Sequence, residues 1–217
     1  MARTENPPFG RGETFFSIGA VSPNAPDVTV GTQLEGKEWV FEDINPTVTG
    51  HTTRTNRYVR CRVVRNRAGI SLLPKRLVQF TSGSATQAAA DGRNYGAQVD
   101  GYTATVNQRG YPVDEWLPSA GVPDKDLFWI VVDGPATVLT PLATASADFA
   151  VGDLVAALTA ATSQATSAGR VDDVNDLTAL TAGSTMQNKV IHYIGYALSA
   201  VSSSSTNNDL LVEVGHW

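Results

Sequence analysis

Short runs of β-branched and apolar residues, each followed by residues that favour turns, recur along most of this 217-residue chain. Within residues 57–65 the pattern alternates from Val59 to Val63: Val59, Cys61 and Val63 are apolar, and the two residues between them are arginines. Alternation with a period of two is typical of a strand that buries one face. Repeated runs of this kind predict an all-β fold, a mostly antiparallel barrel or sandwich.

Two tight connections are predicted from turn residues. Residues 57–65 and 76–80 are expected to form a hairpin, because a short stretch rich in turn formers separates them. Asp133-Gly134-Pro135 is expected to reverse the chain between strands at residues 128–132 and 136–139.

The remaining strand signals are spread over the second half of the chain. Gly152 and Gly169 each precede a predicted strand, and a third strand contains Gly195. Residues 154–165 also permit a helix because they are rich in alanine, although their threonines weaken that interpretation. Two more strands are expected at residues 98–106 and 210–214.

The first 50 residues differ from the rest, because they hold five of the 11 prolines. Proline fixes φ and removes a backbone donor, so long regular elements are not expected there. The sequence therefore predicts an extended N-terminal arm over residues 1–50 and a barrel or sandwich body over residues 51–217. Phe9, Phe15 and Phe16 are expected to anchor this arm on the body or on a neighbouring subunit, which makes them candidate interface residues.

Charge is distributed unevenly along the chain. Residues 44–90 hold eight of the 16 basic residues and none of the 21 acidic ones. Such asymmetry indicates either docking onto an acidic partner or another copy, or neutralisation by acids that lie nearby in the same molecule. Arg60 and Arg62 are the strongest binding candidates, because alternate residues of a strand project from one face and suit carboxylates or phosphates. The full set of candidate interface arginines is Arg54, Arg57, Arg60, Arg62, Arg65 and Arg67.

Bulk properties exclude several classes of protein. The net charge is −5 and the pI about 5.1, which argues against a general nucleic-acid binder. Cys61 is the only cysteine, so no intramolecular disulfide is possible, and its neighbours predict a core position. The first residues lack the apolar segment of a signal peptide, and no run of about 18 apolar residues occurs. We therefore expect synthesis in a cytoplasm and no membrane partner.

The motif search predicts no catalytic, cofactor or metal site. His51, His192 and His216 have no acid or cysteine at metal-ligand spacing. Residues 31–38 have the spacing of a phosphate-binding loop, but Glu38 replaces the Ser or Thr that would hold magnesium, and strand residues follow where a helix is required.

Two acidic clusters are interpreted as structural. Asp172, Asp173 and Asp176 lack the glycine and distal glutamate of a calcium loop, so a solvated turn or a helix start is expected. Asp114 and Glu115 lie beside a tryptophan, as in some sugar sites, but adjacent strand residues point to opposite faces and could not flank one bond.

Four blocks of the sequence, at residues 57–66, 99–102, 111–121 and 126–140, resemble a family of tailed-phage virion proteins that are encoded among phage head genes. The C-terminal third, with Gly-Asp-x-Val at residues 152–155 and Gly-Arg-Val at residues 169–171, is also similar to small β-barrel capsid decoration proteins.

The resemblance implies a capsid decoration (cement) protein that binds the major capsid protein on the virion surface and assembles as a homotrimer at local three-fold axes. The family is not defined by a catalytic site, so no catalytic residue carries over. The alternative is a head-fibre or tail-associated module that presents Tyr111, Trp116 or the loop at residues 81–97 to a host receptor or glycan. An enzyme, such as a hydrolase of polymer or lipid, is the third hypothesis.

Overall fold

The protein is all-β in the part of the chain that the computed structural model describes, which is residues 35–44, 53–80, 96–103, 109–141, 148–158, 168–174, 193–202 and 208–215. These residues contain no helix, and hence none that could span a membrane. The ten strands are β1 Glu38–Ile44, β2 Thr53–Asn66, β3 Leu77–Phe80, β4 Gln98–Tyr102, β5 Tyr111–Pro112, β6 Leu127–Leu139, β7 Leu154–Ala157, β8 Val171–Asp173, β9 Gly195–Ala197 and β10 Asp209–Val214.

All ten strands belong to one sheet, with the order β5-β3-β4-β2-β6-β10-β9-β7-β8 and with β1 beside β2. Every ladder is antiparallel except that between β2 and β4. The ladders do not close into a barrel, although a single bridge between Val113 and Ile130 brings the chain after β5 back to β6. The prediction of a mostly antiparallel all-β fold is confirmed, in the form of a large open sheet.

Strand β6 lies between two hydrophobic cores. Phe128 and Ile130 point into a smaller core shared with β2, β3 and β4, while Trp129 and Val131 point into a larger core shared with β1, β2 and β7 to β10. The sequence encodes this arrangement because residues 127–132 are continuously apolar, as expected for a strand that is buried on both faces.

The predicted reversal at Asp133-Gly134-Pro135 is wrong, because β6 runs through these residues without turning. β2 pairs with residues 127–133 and β10 pairs with residues 134–139. Gly134 has a φ of 94°, and a Cβ built there would lie 2.2 Å from the carbonyl oxygen of Tyr58. The glycine therefore permits a close approach of β2 to β6 next to an irregular step in their register.

The predicted hairpin of β2 and β3 is also wrong, because β4 lies between the two strands and runs parallel to β2. Asn66 holds the chain that leaves β2 by donating hydrogen bonds from Nδ2 to the carbonyl oxygens of Ile70, Val122 and Pro123, at 2.8, 2.9 and 3.0 Å. The turn residues after β2 thus direct the chain towards residues 122–123 and not back along its own strand.

Part of the predicted arm belongs to the sheet. β1 lies within residues 1–50, and it pairs with β2 along Glu38 to Ile44. Trp39 and Phe41 pack edge-to-face on Trp129, with ring centroids 5.1 and 5.4 Å from that of Trp129. Residues 1–34, which include Phe9, Phe15 and Phe16, lie outside the described residues.

The strand predictions of the last third are confirmed. β7 and β8 begin two residues after Gly152 and Gly169, and β10 covers the predicted 210–214. Residues 154–157, for which a helix was also considered, form strand β7. Gly195 starts β9, and a Cβ built there would lie 1.7 Å from the carbonyl oxygen of Glu213, so only glycine fits between β9 and β10.

We expect Gly134→Ala to lower the free energy of unfolding by about 3 kcal/mol, because it adds a backbone clash to the cost of a positive φ. Gly152→Ala is the matched control: its φ is 96°, but a Cβ there meets nothing within 4 Å, so it should cost only about 1–2 kcal/mol. Urea denaturation of both variants measures the difference. Equal losses would show that β2 and β6 do not approach closely at Gly134.

Candidate docking face

The strongest candidate for a functional surface is one face of the β1–β2 ladder. Residues directly opposite in an antiparallel pair project from the same face. The register pairs Glu38 with Arg62, Val40 with Arg60, and Glu42 with Tyr58. We call these six residues the β1–β2 outer face. The intervening residues of both strands point the other way, towards the larger core.

Arg60 and Arg62, the predicted binding pair, do lie together on this face. Nε of Arg62 donates a hydrogen bond to Oε1 of Glu38 at 2.8 Å, and its guanidinium lies 5.6 Å from the ring centroid of Phe80. Arg60 is held more loosely, 3.8 Å from a carboxylate oxygen of Glu38 and 3.8 Å from one of Asp133. Arg60 is thus the arginine of the pair that a partner could engage with the smaller loss of internal contacts.

Large apolar groups on this face remain in contact with solvent. Tyr58 is 67% exposed and Val40 is 60% exposed, while the Arg60 side chain between them is 48% exposed. Tyrosine and arginine are enriched in protein–protein interfaces, where they supply contact area and hydrogen bonds together. Val40 and Tyr58 lie diagonally across the ladder next to Arg60, so the face offers two exposed apolar groups among charged ones, which suits another protein surface.

Arg54 serves the interior of the molecule. Its Nη2 and Nε donate to the two carboxylate oxygens of Asp43, at 2.8 and 3.1 Å, and its Nη1 donates to Glu115 at 2.8 Å and to Thr137 at 3.0 Å. Burial disfavours the charged guanidinium, but the carboxylates of Glu115 and Asp43 outweigh it and raise the pKa of Arg54. This network joins β1, β2, β6 and the turn after β5.

The other candidate arginines are distributed over different surfaces. Arg57 forms an ion pair with Glu213 at 2.8 Å, and its hydrogen bonds to Tyr196 and Glu213 raise the pKa of its guanidinium. Arg65 is buried, where it pairs with Glu35 and donates to the carbonyl oxygen of Lys125 at 2.7 Å.

Arg67 follows β2 and is half-buried. The acids that pair with Arg54, Arg57 and Arg65 lie outside the basic segment at residues 44–90. These ion pairs neutralise the arginines within one molecule, which is one of the two alternatives that the charge pattern indicated.

The structure assigns no reactive role to the other clusters. No group of three or more His, Cys, Asp or Glu side chains within the described ranges could hold a metal ion. The solvated turn or helix start expected at Asp172 and Asp173 is wrong, because both residues are buried in strand β8. Cys61 is buried in the larger core, as predicted. The three histidines and Asp176 lie outside the described residues.

The acidic pair at Asp114 and Glu115 contributes to structure. Asp114 accepts a hydrogen bond from the backbone N–H of Trp116 at 3.3 Å, and Glu115 belongs to the Arg54 network. The sequence predicts a strand after residues 31–38, where a phosphate-binding loop would require a helix. This strand is confirmed, because β1 begins at Glu38.

Val40 and Glu42 are not predicted from the sequence as interface residues, and Glu38 enters the sequence analysis only as the residue that departs from a phosphate-binding loop. Their signal is the alternation of Glu38, Val40 and Glu42 with Trp39 and Phe41, which has the period of a strand with one polar face. A short strand is expected at these residues of the arm, but the sequence does not reveal that it pairs with β2.

We expect Arg54→Met to lower the free energy of unfolding by about 3 kcal/mol, because it leaves the Asp43 carboxylate buried without its counter-charge. Arg60→Met is the matched control and should cost less than about 1 kcal/mol, since Arg60 is half-exposed and weakly paired. Urea denaturation at neutral pH measures both. If the two variants lose equal stability, the Arg54 network does not join the strands as described.

Comparison with known proteins does not assign this chain to a family. No protein-family model matches the chain, and no curated protein matches it. A solved structure, described as the crystal structure of the head fiber gp8.5 N base in bacteriophage phi29, is similar at 12% sequence identity over 71% of this chain and 92% of that chain, with a TM-score of 0.35. This identity and this TM-score are too low to transfer a fold or a function.

Proposed function

We propose that this chain is a capsid decoration (cement) protein of a tailed bacteriophage, which binds and stabilises the shell of the major capsid protein. It acts as a homotrimer on the capsid surface, after synthesis in the cytoplasm of the bacterial host. The proposal assigns it no catalytic residue, no cofactor, and neither nucleic acid nor membrane as a partner.

The observation that carries the proposal is the β1–β2 outer face. Val40 and Tyr58 are more than half exposed on a sheet whose inner side is closely packed, and Arg60 lies between them with only long contacts to acids. A contact that buries roughly 800 Å² on each partner suffices for a stable complex. Many copies bound to one shell add avidity to a modest individual affinity.

The positions of the virion-like blocks support the same proposal. Residues 57–66 and 126–140 contain most of β2 and β6, and residues 99–102 lie in β4, so these blocks occupy three adjacent strands. A cement protein needs a stiff body that keeps its docking residues in fixed positions. The two cores on either side of β6 provide such a body.

Tyr58→Asp should weaken binding to shells at least tenfold, because it places a charge where the proposed contact buries an aromatic ring. Val151→Asp is the matched control, since Val151 is equally exposed at 68% but lies in the turn before β7. Co-sedimentation of each variant with empty shells of the major capsid protein measures the affinity. Equal affinities for both variants would remove the outer face from the interface.

Deleting residues 1–20 should weaken shell binding while the β body stays folded, because Phe9, Phe15 and Phe16 are the proposed anchors of the arm. Circular dichroism checks the fold and co-sedimentation checks the binding. A truncated chain that decorates shells with unchanged affinity would show that the arm has no role in docking.

Electron microscopy of virions separates cement protein from head-fibre or tail-associated module. Density lying flat at local three-fold positions of the shell supports the proposal, whereas density that projects from the head or belongs to the tail supports the alternative. Sedimentation equilibrium of the purified chain tests the trimer.

A further inference from the structure

β1 is an edge strand whose outer side pairs with no strand in the described part of the chain. Val63 donates its backbone N–H to the carbonyl oxygen of Lys37 at 2.9 Å, which identifies 37 and 63 as a hydrogen-bonded pair. Because such pairs alternate along an antiparallel ladder, the backbone groups of Glu38, Val40 and Glu42 point away from β2. The N–H and C=O groups of these three residues are therefore available to form hydrogen bonds with an added strand.

The edge carries only some of the features that normally block strand addition: Glu38 and Glu42 are charged, and the register with β2 becomes irregular after Glu42. Natural edge strands are protected by proline, by lysine, by bulges or by very short length. Residues 38–42 contain no proline, glycine or lysine, and their register with β2 is regular up to Glu42. Trp39 is 39% exposed and Val40 is 60% exposed, so an added strand would also cover apolar surface.

Charge limits what can occupy this edge. Glu38 is balanced by Arg62 and Arg60, whereas Glu42 forms no ion pair within the described residues. A second copy paired through the same edge can offer Glu42 only glutamate, valine or isoleucine, because these are the residues at positions 38, 40, 42 and 44. Facing glutamates destabilise such a pair, and in no register would Glu42 gain a counter-charge.

The preceding part of this chain is no better matched to the edge. Residues 12–34, which lie nearest to β1 in sequence, contain no lysine or arginine and two acids, Glu13 and Asp27. A strand from this segment could pair its backbone with β1 but would leave Glu42 without an opposite charge.

We propose that the free edge of β1 receives an extended segment of the partner protein, which adds a strand to the sheet. The segment carries lysine or arginine opposite Glu42 and a small or β-branched residue opposite Val40. The inference rests on the proposed function, because the shell protein is the partner that supplies the segment. Backbone hydrogen bonds give the affinity and Glu42 selects the register.

The test uses Val40→Pro in the full chain. Proline removes an N–H that β2 does not use and tolerates an edge position, so it blocks strand addition while β1 stays paired. Val40→Thr is the control, because it keeps the N–H and the β-branched shape. We expect Val40→Pro to bind empty shells at least tenfold more weakly than Val40→Thr, with equal thermal melting of the two. Equal affinity of the two variants overturns the proposal.

Glu42→Lys gives an independent readout that does not depend on proline. It should weaken binding to shells at least threefold, and the difference from the native chain should shrink at high salt as the charges are screened. Unchanged or tighter binding by Glu42→Lys overturns the assignment of a basic residue opposite Glu42.

A synthetic peptide tests the edge apart from the shells. Acetyl-Thr-Lys-Thr-Val-Thr-Lys-Thr-amide, titrated into the native chain, should shift the amide resonances of Glu38, Val40 and Glu42 saturably and should leave Val40→Pro unaffected. If these shifts are absent, the strand-addition inference is overturned even if the chain binds shells. If the shifts occur but the chain does not bind shells, strand addition at β1 is supported and the proposed function is contradicted.

Amide hydrogen exchange in the free chain tests whether another segment of this chain or a second copy already pairs with the β1 edge. The amides of Val40 and Glu42 should exchange rapidly. Protection that is independent of concentration would assign the edge to another segment of this chain, and protection that grows with concentration would assign it to a second copy; either result overturns the proposal.

Discussion

The burial of β6 on both faces is the constraint on which the rest of the structure depends. Phe128 and Ile130 close the smaller core, and Trp129 and Val131 close the larger one. A strand with two apolar faces cannot lie at the surface, so every other element is arranged around it. β1 is held because Trp39 and Phe41 pack on Trp129, and the β1–β2 outer face exists because β1 and β2 are fixed in this way.

Four of the five arginines of β2 divide into two groups with different physical roles. Arg54 and Arg65 are largely removed from solvent and bind several acceptors each, so they connect segments that are distant in sequence. Arg57 and Arg60 are about half exposed and keep fewer or longer contacts. Only the second group can exchange an internal partner for an external one at small cost, because exposed pairs contribute little to stability. A basic segment in a sequence therefore does not by itself indicate a basic surface.

Much of the fold can be predicted from local patterns, but the connections cannot. Val59, Cys61 and Val63 are predicted and observed on one buried face, because alternation depends only on neighbouring residues. Asp133-Gly134-Pro135 is typical of a turn, and the sequence does not reveal that Tyr58 of β2, 76 residues earlier, approaches the glycine backbone.

The same division between local patterns and long-range contacts applies to the β1–β2 outer face. The pairing of Arg60 and Arg62 on one face followed from their spacing, whereas Glu38 and Val40 could be placed beside them only once β1 was known to pair with β2. Which acid neutralises which arginine is likewise a long-range property, as the contact of Arg57 with Glu213 illustrates.

The pairing of β6 with β10 has a consequence for biosynthesis. Residues 134–139 find their partner strand only at residues 209–214, about 70 positions further along the chain. Closing a loop of this length costs chain entropy before the pairing adds stability. Until β10 has paired, this half of β6 presents an unpaired apolar strand edge, and exposed edges of this kind make a partly folded chain prone to aggregation.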